Sequence, residues 1–218
     1  MNIIARPDRR LAFLDIETVG TEAVEKAALS AVTGRVVCVG LMFDDGKELV
    51  EHNLVDADEA SILRRFWALV RASDCFVGHN IAQFDLMFLR QRSWVKGIKP
   101  SRRIDLRRFY TTDLIDSQMV FSNWGMTPYQ SLDRLAALFD IGAKTGHGNE
   151  VQEWWTQGDL YKIGSYCQSD VRLSYKLFRR LMFQDLPPRF AKLPPLSQVV
   201  EHTIAATQSP ANPIVNPG

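Results

Sequence analysis

Residues 11–17 read Leu-Ala-Phe-Leu-Asp-Ile-Glu, a short apolar run that ends in two acids. A run of this kind is typical of a buried strand. Residues two apart on a strand point to the same face, so the carboxylates of Asp15 and Glu17 are expected to project together. Two neighbouring acids repel each other, and both stay ionised when a cation lies between them. Acids at strand ends are also common as solvated termini, so the pair alone leaves both interpretations open.

The residues that follow predict a mixed sheet around this strand. A second strand is expected over residues 36–43, and the turn at 44–46 leads to a third over 48–54, which makes an antiparallel meander. Residues 56–72 have the apolar spacing of a helix, and 75–78 predict a fourth, very short strand. The helix at residues 56–72 would connect the meander to the fourth strand as a crossover, so the fourth strand should lie parallel to the first.

Three further helices are predicted in the rest of the domain. They cover residues 81–94, residues 131–139 with Ser131 as the N-cap, and residues 158–183 with an interruption near Gly164. Together the elements predict an α/β domain over residues 1–185, a mixed sheet flanked by helices. Residues 186–218 hold seven of the ten prolines and are expected to form a peripheral C-terminal tail, docked or flexible.

Composition narrows the class of protein. The chain has 218 residues, of which 46% are hydrophobic and 23% charged, values that fit one sizeable globular domain. No apolar stretch is long enough to span a bilayer, and the N-terminus lacks the apolar core of a secretory signal. A cytoplasmic protein without a membrane partner is therefore expected. The three cysteines, Cys38, Cys75 and Cys167, are expected to be buried reduced thiols.

A basic segment lies at residues 90–108. It carries eight cations against one acid, Asp105, with Trp94 among them. This composition suits a phosphate backbone and a stacked base. It is equally typical of a solvated basic loop, and the net charge of +1 does not by itself predict a nucleic-acid partner.

Two later segments carry acids in positions that suit catalysis. Asp85 falls near the start of the helix after the fourth strand, where adjacent strands would bring it towards Asp15. Asn80 is the expected N-cap of that helix. Tyr166 and Asp170 are four residues apart, so one helical face presents both. Each of these two segments also has a plain structural interpretation. Asp85 could be an exposed helix acid, and Tyr166 and Asp170 could be a hydrogen-bonded pair on the surface.

In their order and spacing, the three motifs resemble those of the DEDD exonuclease superfamily, which includes the DnaQ-like proofreading subunit and polymerase proofreading domains. The first motif of that superfamily is Asp-x-Glu, matched here by Asp15 and Glu17. The second contains Asn-x-x-x-Phe-Asp, matched by Asn80, Phe84 and Asp85.

The third motif separates two branches of the superfamily. One branch has Tyr-x-x-x-Asp, which Tyr166 and Asp170 match. The other has His-x-x-x-x-Asp and would need a histidine where this chain has Ser165. The sequence is therefore similar to the tyrosine branch, over residues 11–183.

The resemblance implies a ribonuclease H-like fold with a five-stranded sheet, and a 3′→5′ exonuclease that releases nucleoside monophosphates. It also implies two divalent ions, Mg²⁺ or Mn²⁺, because the ligand set is all oxygen. In the family pattern Asp15 bridges both ions, Glu17 and Asp170 complete the ion that carries the attacking water, and Asp85 holds the second ion. Tyr166 orients the attacking water. Zinc is not expected, since no cysteine or histidine matches a ligand position.

The substrate is predicted less sharply than the chemistry. Single-stranded DNA is favoured because the tyrosine branch resembles proofreading domains of DNA polymerases. A 3′→5′ exoribonuclease is the alternative, and a non-catalytic nucleic-acid-binding module is the alternative from a different class. The residues expected to contact nucleic acid are Thr18, Asn80, Trp94, Arg102, Arg103, Arg107 and Arg108.

The C-terminal tail leaves two roles open. Without a polymerase module, the exonuclease is expected to be stand-alone or supplied to a partner in trans. The tail then serves either as a docking peptide for such a protein partner or as a passive strap over the domain. The strap is the favoured interpretation.

Overall fold

A computed structural model describes residues 9–208 of the chain. Its sheet has five strands in the order β3-β2-β1-β4-β5. β1 to β3 form the antiparallel meander, and β4 and β5 continue the sheet parallel to β1. The predicted mixed five-stranded sheet is confirmed. The strands are β1 (Leu11–Gly20), β2 (Gly34–Asp44), β3 (Leu49–Val55), β4 (Cys75–Gly78) and β5 (Leu114–Asp116).

Seven α-helices flank this sheet within the described residues. They are α1 (Glu59–Leu69), α2 (Asp85–Val95), α3 (Ser117–Phe121), α4 (Leu132–Phe139), α5 (Val151–Thr156), α6 (Leu160–Leu181) and α7 (Leu196–Gln208). Ser131 caps α4 as expected, because its side chain accepts a hydrogen bond from the Arg134 N–H.

Three expectations about the helices were wrong. α2 begins at Asp85, because residues 81–84 form a turn. Asn80 lies in the left-handed region with φ of 64°, whereas an N-cap residue adopts an extended backbone. α6 runs without an interruption through Gly164. A Cβ at that glycine would lie 2.7 Å from the Asn53 side chain, so the glycine serves close packing of the helix on β3.

The period-two alternation of β1 sends its side chains to two different layers. Leu14 joins the core beneath α1 and α2, together with Phe66. Phe13 joins the core beneath α6, where it packs edge-on against Tyr175 and Phe178. Because odd-numbered positions of β1 face α6, the two acids that follow on this strand also face α6.

A buried ion pair fixes α2 against the rest of the domain. Arg92 donates to both carboxylate oxygens of Glu59 on α1, at 2.8 and 2.7 Å, and to the Ala31 carbonyl at 2.8 Å. Glu59 also accepts from the Val36 N–H on β2. Glu59 and Arg92 are only 2% and 8% exposed. Arg92, one of the eight cations of the basic segment, is therefore a structural residue and not a free phosphate ligand.

The described part of the C-terminal tail is docked on the domain. α7 packs against α6 and β3, and Val200 is fully buried there. Before it, Arg189 pairs with Asp44 at 2.8 Å, and Arg172 of α6 donates to the Pro194 carbonyl at 2.6 Å. The tail prolines at 210, 213 and 217 lie outside the described residues. None of the helices within residues 9–208 combines the length and apolarity needed to cross a bilayer.

Candidate active site

The first two acids lie beside an irregularity in the pairing of β1 with β2. Asp15 is partly buried and Glu17 is buried, and both project towards α6. The register shifts between Glu17 and Thr18, whose partners are Cys38 and Val36. The extra residue, Val37, lies on β2, so the strand that carries the acids keeps its alternation up to Glu17.

The second motif holds its acid against the first. Asp85 is the first residue of α2, is buried, and accepts a hydrogen bond from the Ile16 N–H at 3.0 Å. That N–H lies between Asp15 and Glu17 in sequence. The hydrogen bond therefore places the third carboxylate beside the first two.

The turn before α2 is supported by residues that the sequence interpretation did not identify. The buried carboxylate of Asp116, at the end of β5, accepts from the Asn80 and Ala82 N–H groups, each at 2.9 Å. His79 bridges the Ser117 hydroxyl at 3.0 Å and the Gln130 carbonyl at 2.9 Å. Burial lowers the pKa of His79. Both side chains hold the backbone that presents Asp85.

The third motif comes from α6. Tyr166 and Asp170 lie one turn apart and are both buried against β1. Lys144, in the loop before α5, reaches over them: its Nζ lies 2.6 Å from Asp170 Oδ2 and 5.3 Å from the centre of the Tyr166 ring. Lys144 was not among the site residues predicted from the sequence. It lies in a glycine-containing loop at residues 144–149, where no periodic pattern indicates what the side chain contacts.

The electrostatics of this cluster favour binding of a cation. Burial, followed by the charges of the neighbouring acids, raises the pKa values of Asp15 and Glu17 well above their ordinary range. Burial raises the pKa of Asp85 to about 7, and it also raises the pKa of Asp170 although Lys144 opposes this. Buried carboxylates this close together repel one another, and bound protons or cations compensate their negative charges.

An unsatisfied oxygen supports the same conclusion. Asp170 is only 2% exposed, yet its Oδ1 has no hydrogen-bond partner among the residues that the structure describes. Buried polar atoms are rarely left in this state unless an ion or water is due there. The donor set is made of hard carboxylate oxygens, the ligands that Mg²⁺ and Mn²⁺ prefer. The residues present therefore fit a divalent metal.

One further donor lies within this group. Cys167, next to Tyr166, has its Sγ 3.8 Å from Asp15 Oδ2. One ligand atom each from Asp15, Glu17 and Cys167 lie within 4.8 Å of one another. Cys167 thus lies beside the carboxylates, although it matches no ligand position of the family motifs. The three cysteines are otherwise buried and free, as expected.

The phenol of Tyr166 stays protonated at neutral pH. Burial, and then the charges of Asp170 and Glu17, raises its pKa above the ordinary value. For Lys144 burial works against the charge, but the ion pair with Asp170 holds the pKa of the lysine above its usual range. A neutral hydroxyl and a cation therefore flank the carboxylates on the α6 side.

Replacing Lys144 with methionine is expected to destabilise the metal-free protein by about 2 kcal/mol, because Asp170 would lose its counter-ion and would either bind a proton or stay charged among the other acids. Saturating Mg²⁺ should recover much of that loss, since a bound cation compensates the same carboxylate. Thermal melting with chelator and with Mg²⁺ measures both values. Lys99→Met, at an exposed lysine, is the matched control. An equal loss in the two buffers would show that Lys144 does not act as the counter-ion.

The residues expected to bind nucleic acid occupy varied positions. Thr18 is buried and donates to the Ala28 carbonyl at 2.7 Å. Arg102 donates to Ser73 and lies over the Phe76 ring at 4.7 Å, which makes it largely structural in this state. Asn80 contributes its backbone N–H to the turn already described.

The remaining cationic and aromatic candidates lie nearer the surface. Arg103, Arg107 and Arg108 are exposed. Arg107 pairs with Asp105, and Arg108 donates to the Trp124 carbonyl at 2.8 Å. Two cavities flank the second motif, and Gln83 lines both. One of them, the arginine cavity, has a volume of about 590 Å³ and is lined by Gln83, Arg107, Arg108, Asp116, Trp124 and Tyr129 among others.

The second cavity is more apolar. This tryptophan groove has a volume of about 650 Å³ and lies between α2 and the loop at residues 29–32. Phe84 lines it next to Asp85, and Trp94, 64% exposed, lines its far end. Both cavities thus adjoin the second motif at Gln83, two residues before Asp85.

Comparison with known proteins identifies the family. Residues 28–186, well over half of the chain, match the family described as "Predicted 3'-5' exonuclease related to the exonuclease domain of PolB". The chain belongs to this exonuclease family. In this family member, Asp85, Lys144 and Asp170 fall inside the matched region, whereas Asp15 and Glu17 precede it. The predicted exonuclease superfamily is confirmed at this level.

A solved structure extends the likeness of this exonuclease-family protein to the fold. It is the family B DNA polymerase from the hyperthermophilic archaeon Pyrobaculum calidifontis, with a TM-score of 0.61 and 20% sequence identity. The match covers 88% of this chain and 27% of the polymerase chain, so the protein spans about a quarter of the polymerase's length. The ribonuclease H-like fold of a polymerase exonuclease is thus confirmed. No curated protein matches the chain.

Proposed function

We propose that the protein is a metal-dependent exonuclease that removes nucleoside monophosphates from the 3′ end of single-stranded DNA. One observation carries the proposal. Four carboxylates from three separate elements, three of them buried and one partly buried, converge with a protonated tyrosine in a chain of an exonuclease family. A cluster of acids that repel one another lowers the stability of the fold, and such clusters are typical of functional sites.

The residues have distinct roles in this proposal. Asp15, Glu17, Asp85 and Asp170 would hold two divalent ions, Mg²⁺ or Mn²⁺. When bound, such ions supply an acidified water and neutralise charge on the attacking and leaving oxygens of a phosphodiester. The Tyr166 hydroxyl, kept protonated by burial and nearby acids, orients the attacking water. A role of this kind for Tyr166 is what supports the proposal that the chain is of the tyrosine branch of the superfamily.

The substrate is proposed from the surfaces around the cluster. A strand that enters with its 3′ end at the carboxylates passes Gln83, with the arginine cavity on one side and the tryptophan groove on the other. Arginines and exposed aromatic rings suit phosphates and unstacked bases, as single strands present them. DNA is favoured over RNA because the family is described as related to the exonuclease domain of PolB, and the similar solved structure is a DNA polymerase.

Two other functions could use the same fold. An exoribonuclease would use the same carboxylates, because the metal site does not read the sugar. A non-catalytic binding module of the same fold would typically have lost metal ligands. All four carboxylates are present here, which favours the enzyme.

The C-terminal tail and the location complete the proposal. We assign catalysis to residues 1–185 and treat 186–218 as a strap over the domain, because its described part packs on α6 and β3. A docking role for a protein partner is the second interpretation. Three free, buried thiols support a cytoplasmic location, where cysteines stay reduced.

Degradation of labelled oligonucleotides tests the function. Matched single- and double-stranded DNA and RNA are incubated with Mg²⁺, Mn²⁺ or chelator. A 5′ label should give a ladder with one-nucleotide steps, and a 3′ label should be released at once as a mononucleotide. Circular single-stranded DNA, which has no end, is the control and should stay intact. A mobility shift without cleavage would establish a binding module, and cutting of the circle would establish an endonuclease.

A further inference from the structure

A thiol lies directly beneath the metal-binding carboxylates. Cys167 Sγ accepts a hydrogen bond from the Gly40 N–H at 3.1 Å and contacts the Asp15 carbonyl at 3.4 Å. It lies 3.8 Å from Asp15 Oδ2 and within 4.8 Å of a Glu17 oxygen. The side chain is fully buried. The three donors form a mixed group of two oxygens and one sulfur.

Close packing of α6 on the sheet puts the sulfur there. Gly40 pairs with Asp15 across β1 and β2. A Cβ at residue 40 would lie 2.8 Å from Val171 and 3.1 Å from Cys167 Sγ, so only glycine lets the helix come this close. The approach leaves Cys167 in contact with the strand that carries the acids. The position of the sulfur is thus fixed by backbone on both sides.

The observed separation agrees with a shared tetrahedral ion. A zinc-like cation lies about 2.3 Å from a thiolate and about 2.0–2.2 Å from a carboxylate oxygen. At a tetrahedral angle these bonds place sulfur and oxygen roughly 3.5–3.7 Å apart. The Cys167 Sγ to Asp15 Oδ2 distance of 3.8 Å is therefore close to what such an ion needs. The Gly40 N–H can keep its bond to the sulfur, since such bonds support a ligating thiolate.

A further buried acid lies near this group. Asp170 is almost fully buried and its Oδ1 is unpartnered among the described residues. Its charge acts on both Asp15 and Glu17. Asp170 is not one of the three donors, but it adds negative charge beside them, which favours a cation there.

We propose that the site binds thiophilic divalent cations of the zinc class in a second mode, through Asp15, Glu17 and Cys167. As the metal–sulfur bond forms, the thiol proton is released to solvent. Hard ions such as Mg²⁺ use the carboxylates alone and leave the thiol protonated. A thiophilic ion thus occupies the ligands that catalysis needs and inhibits the nuclease. The binding mode stands by itself, whereas the inhibition rests on the proposed function.

Cadmium reports directly on the sulfur. Titration of the metal-free protein with Cd²⁺ should produce the ultraviolet thiolate-to-cadmium charge-transfer band, saturating at one equivalent. Cys167→Ser should abolish the band, and Cys75→Ser, at a buried cysteine of β4, should keep it. Persistence of the band in Cys167→Ser overturns the proposal. So does loss of the band in Cys38→Ser with retention in Cys167→Ser.

Calorimetry with Zn²⁺ and Mg²⁺ measures the selectivity. Cys167→Ser should weaken Zn²⁺ binding on the order of tenfold or more, while Mg²⁺ binding changes by less than about threefold. Cys167→Ala and near-ultraviolet circular dichroism check that the fold is kept. Equal weakening for both ions would overturn the proposal.

Nuclease assays separate this proposal from the function it adjoins. In Mg²⁺, added Zn²⁺ should inhibit wild type at a lower concentration than Cys167→Ser. Absence of nuclease activity from the wild-type protein would refute the proposed function, yet the cadmium band would still decide the metal mode. A cadmium band in wild type together with equal zinc inhibition of both proteins would overturn the inhibitory part.

Discussion

Replacing Asp15 or Asp170 with alanine is expected to lower nuclease activity by roughly a thousandfold, since loss of a shared metal ligand costs several kcal/mol of transition-state stabilisation. The conservative Asp15→Asn should have the same effect, because an amide cannot replace a charged ligand. The variants should remain folded. Initial rates on a labelled single-stranded oligonucleotide, at saturating Mg²⁺, measure the loss.

Asp15→Asn should raise the stability of the metal-free protein, although it lowers the activity. Burial raises the pKa of Asp15, so its ionised form is disfavoured in the folded protein at neutral pH. An acid with a raised folded-state pKa lowers stability as pH rises from the unfolded pKa to the folded one, and the penalty is complete above both. Asp15→Asn removes that penalty and should stabilise the metal-free protein by on the order of 1 kcal/mol.

Asp140→Asn is the matched control for both measurements. Asp140 is exposed and has a left-handed backbone at the end of α4, a conformation that asparagine also adopts. It should change neither activity nor melting temperature. Residual activity above roughly a tenth of wild type in the Asp15 and Asp170 variants would refute their assignment as ligands.

The second large effect is structural. Arg92→Ala should destabilise the protein by about 3–5 kcal/mol, because it leaves Glu59 charged, buried and without its bidentate partner. That is a large part of the stability of a typical domain. For a chain of this size the melting temperature should fall by roughly 10 °C. Chemical denaturation with circular dichroism measures the free energy of unfolding.

Arg64→Ala, at an exposed arginine of α1, separates charge from burial. It also removes one guanidinium, but it should lower the free energy of unfolding by less than about 0.5 kcal/mol. If Arg92→Ala instead left stability unchanged and weakened oligonucleotide binding, Arg92 would be a phosphate ligand after all. Double replacement of Glu59 and Arg92 by leucine should cost less than Arg92→Ala, since no charge is then left unpaired.

The parts of the fold that could be predicted carry their signal locally. Alternating and apolar runs predicted β1 to β4, and helical spacing predicted α1, α4 and α6. Tyr166 and Asp170 could be placed together because four residues make one turn. Connection rules predicted the antiparallel meander and a fourth strand parallel to the first. These inferences needed no knowledge of distant contacts.

The missed features depend on contacts that local sequence does not report. β5 has three residues, too few for a periodic pattern. Lys144 and Cys167 join the site through packing of a loop and a helix on β1, and the residue types alone do not announce this. Asn80 looked like an N-cap, but Asp116 holds its backbone in a left-handed turn.

The candidate metal site joins the two ends of the folded domain. The contact between Asp15 and Cys167 spans 152 residues. At a synthesis rate of about 5–20 residues per second, α6 follows β1 from the ribosome by roughly 8–30 seconds. During that interval the growing chain holds two of its acids on β1 and lacks the helix that completes the cluster. The carboxylate cluster is therefore complete only after α6 has been made.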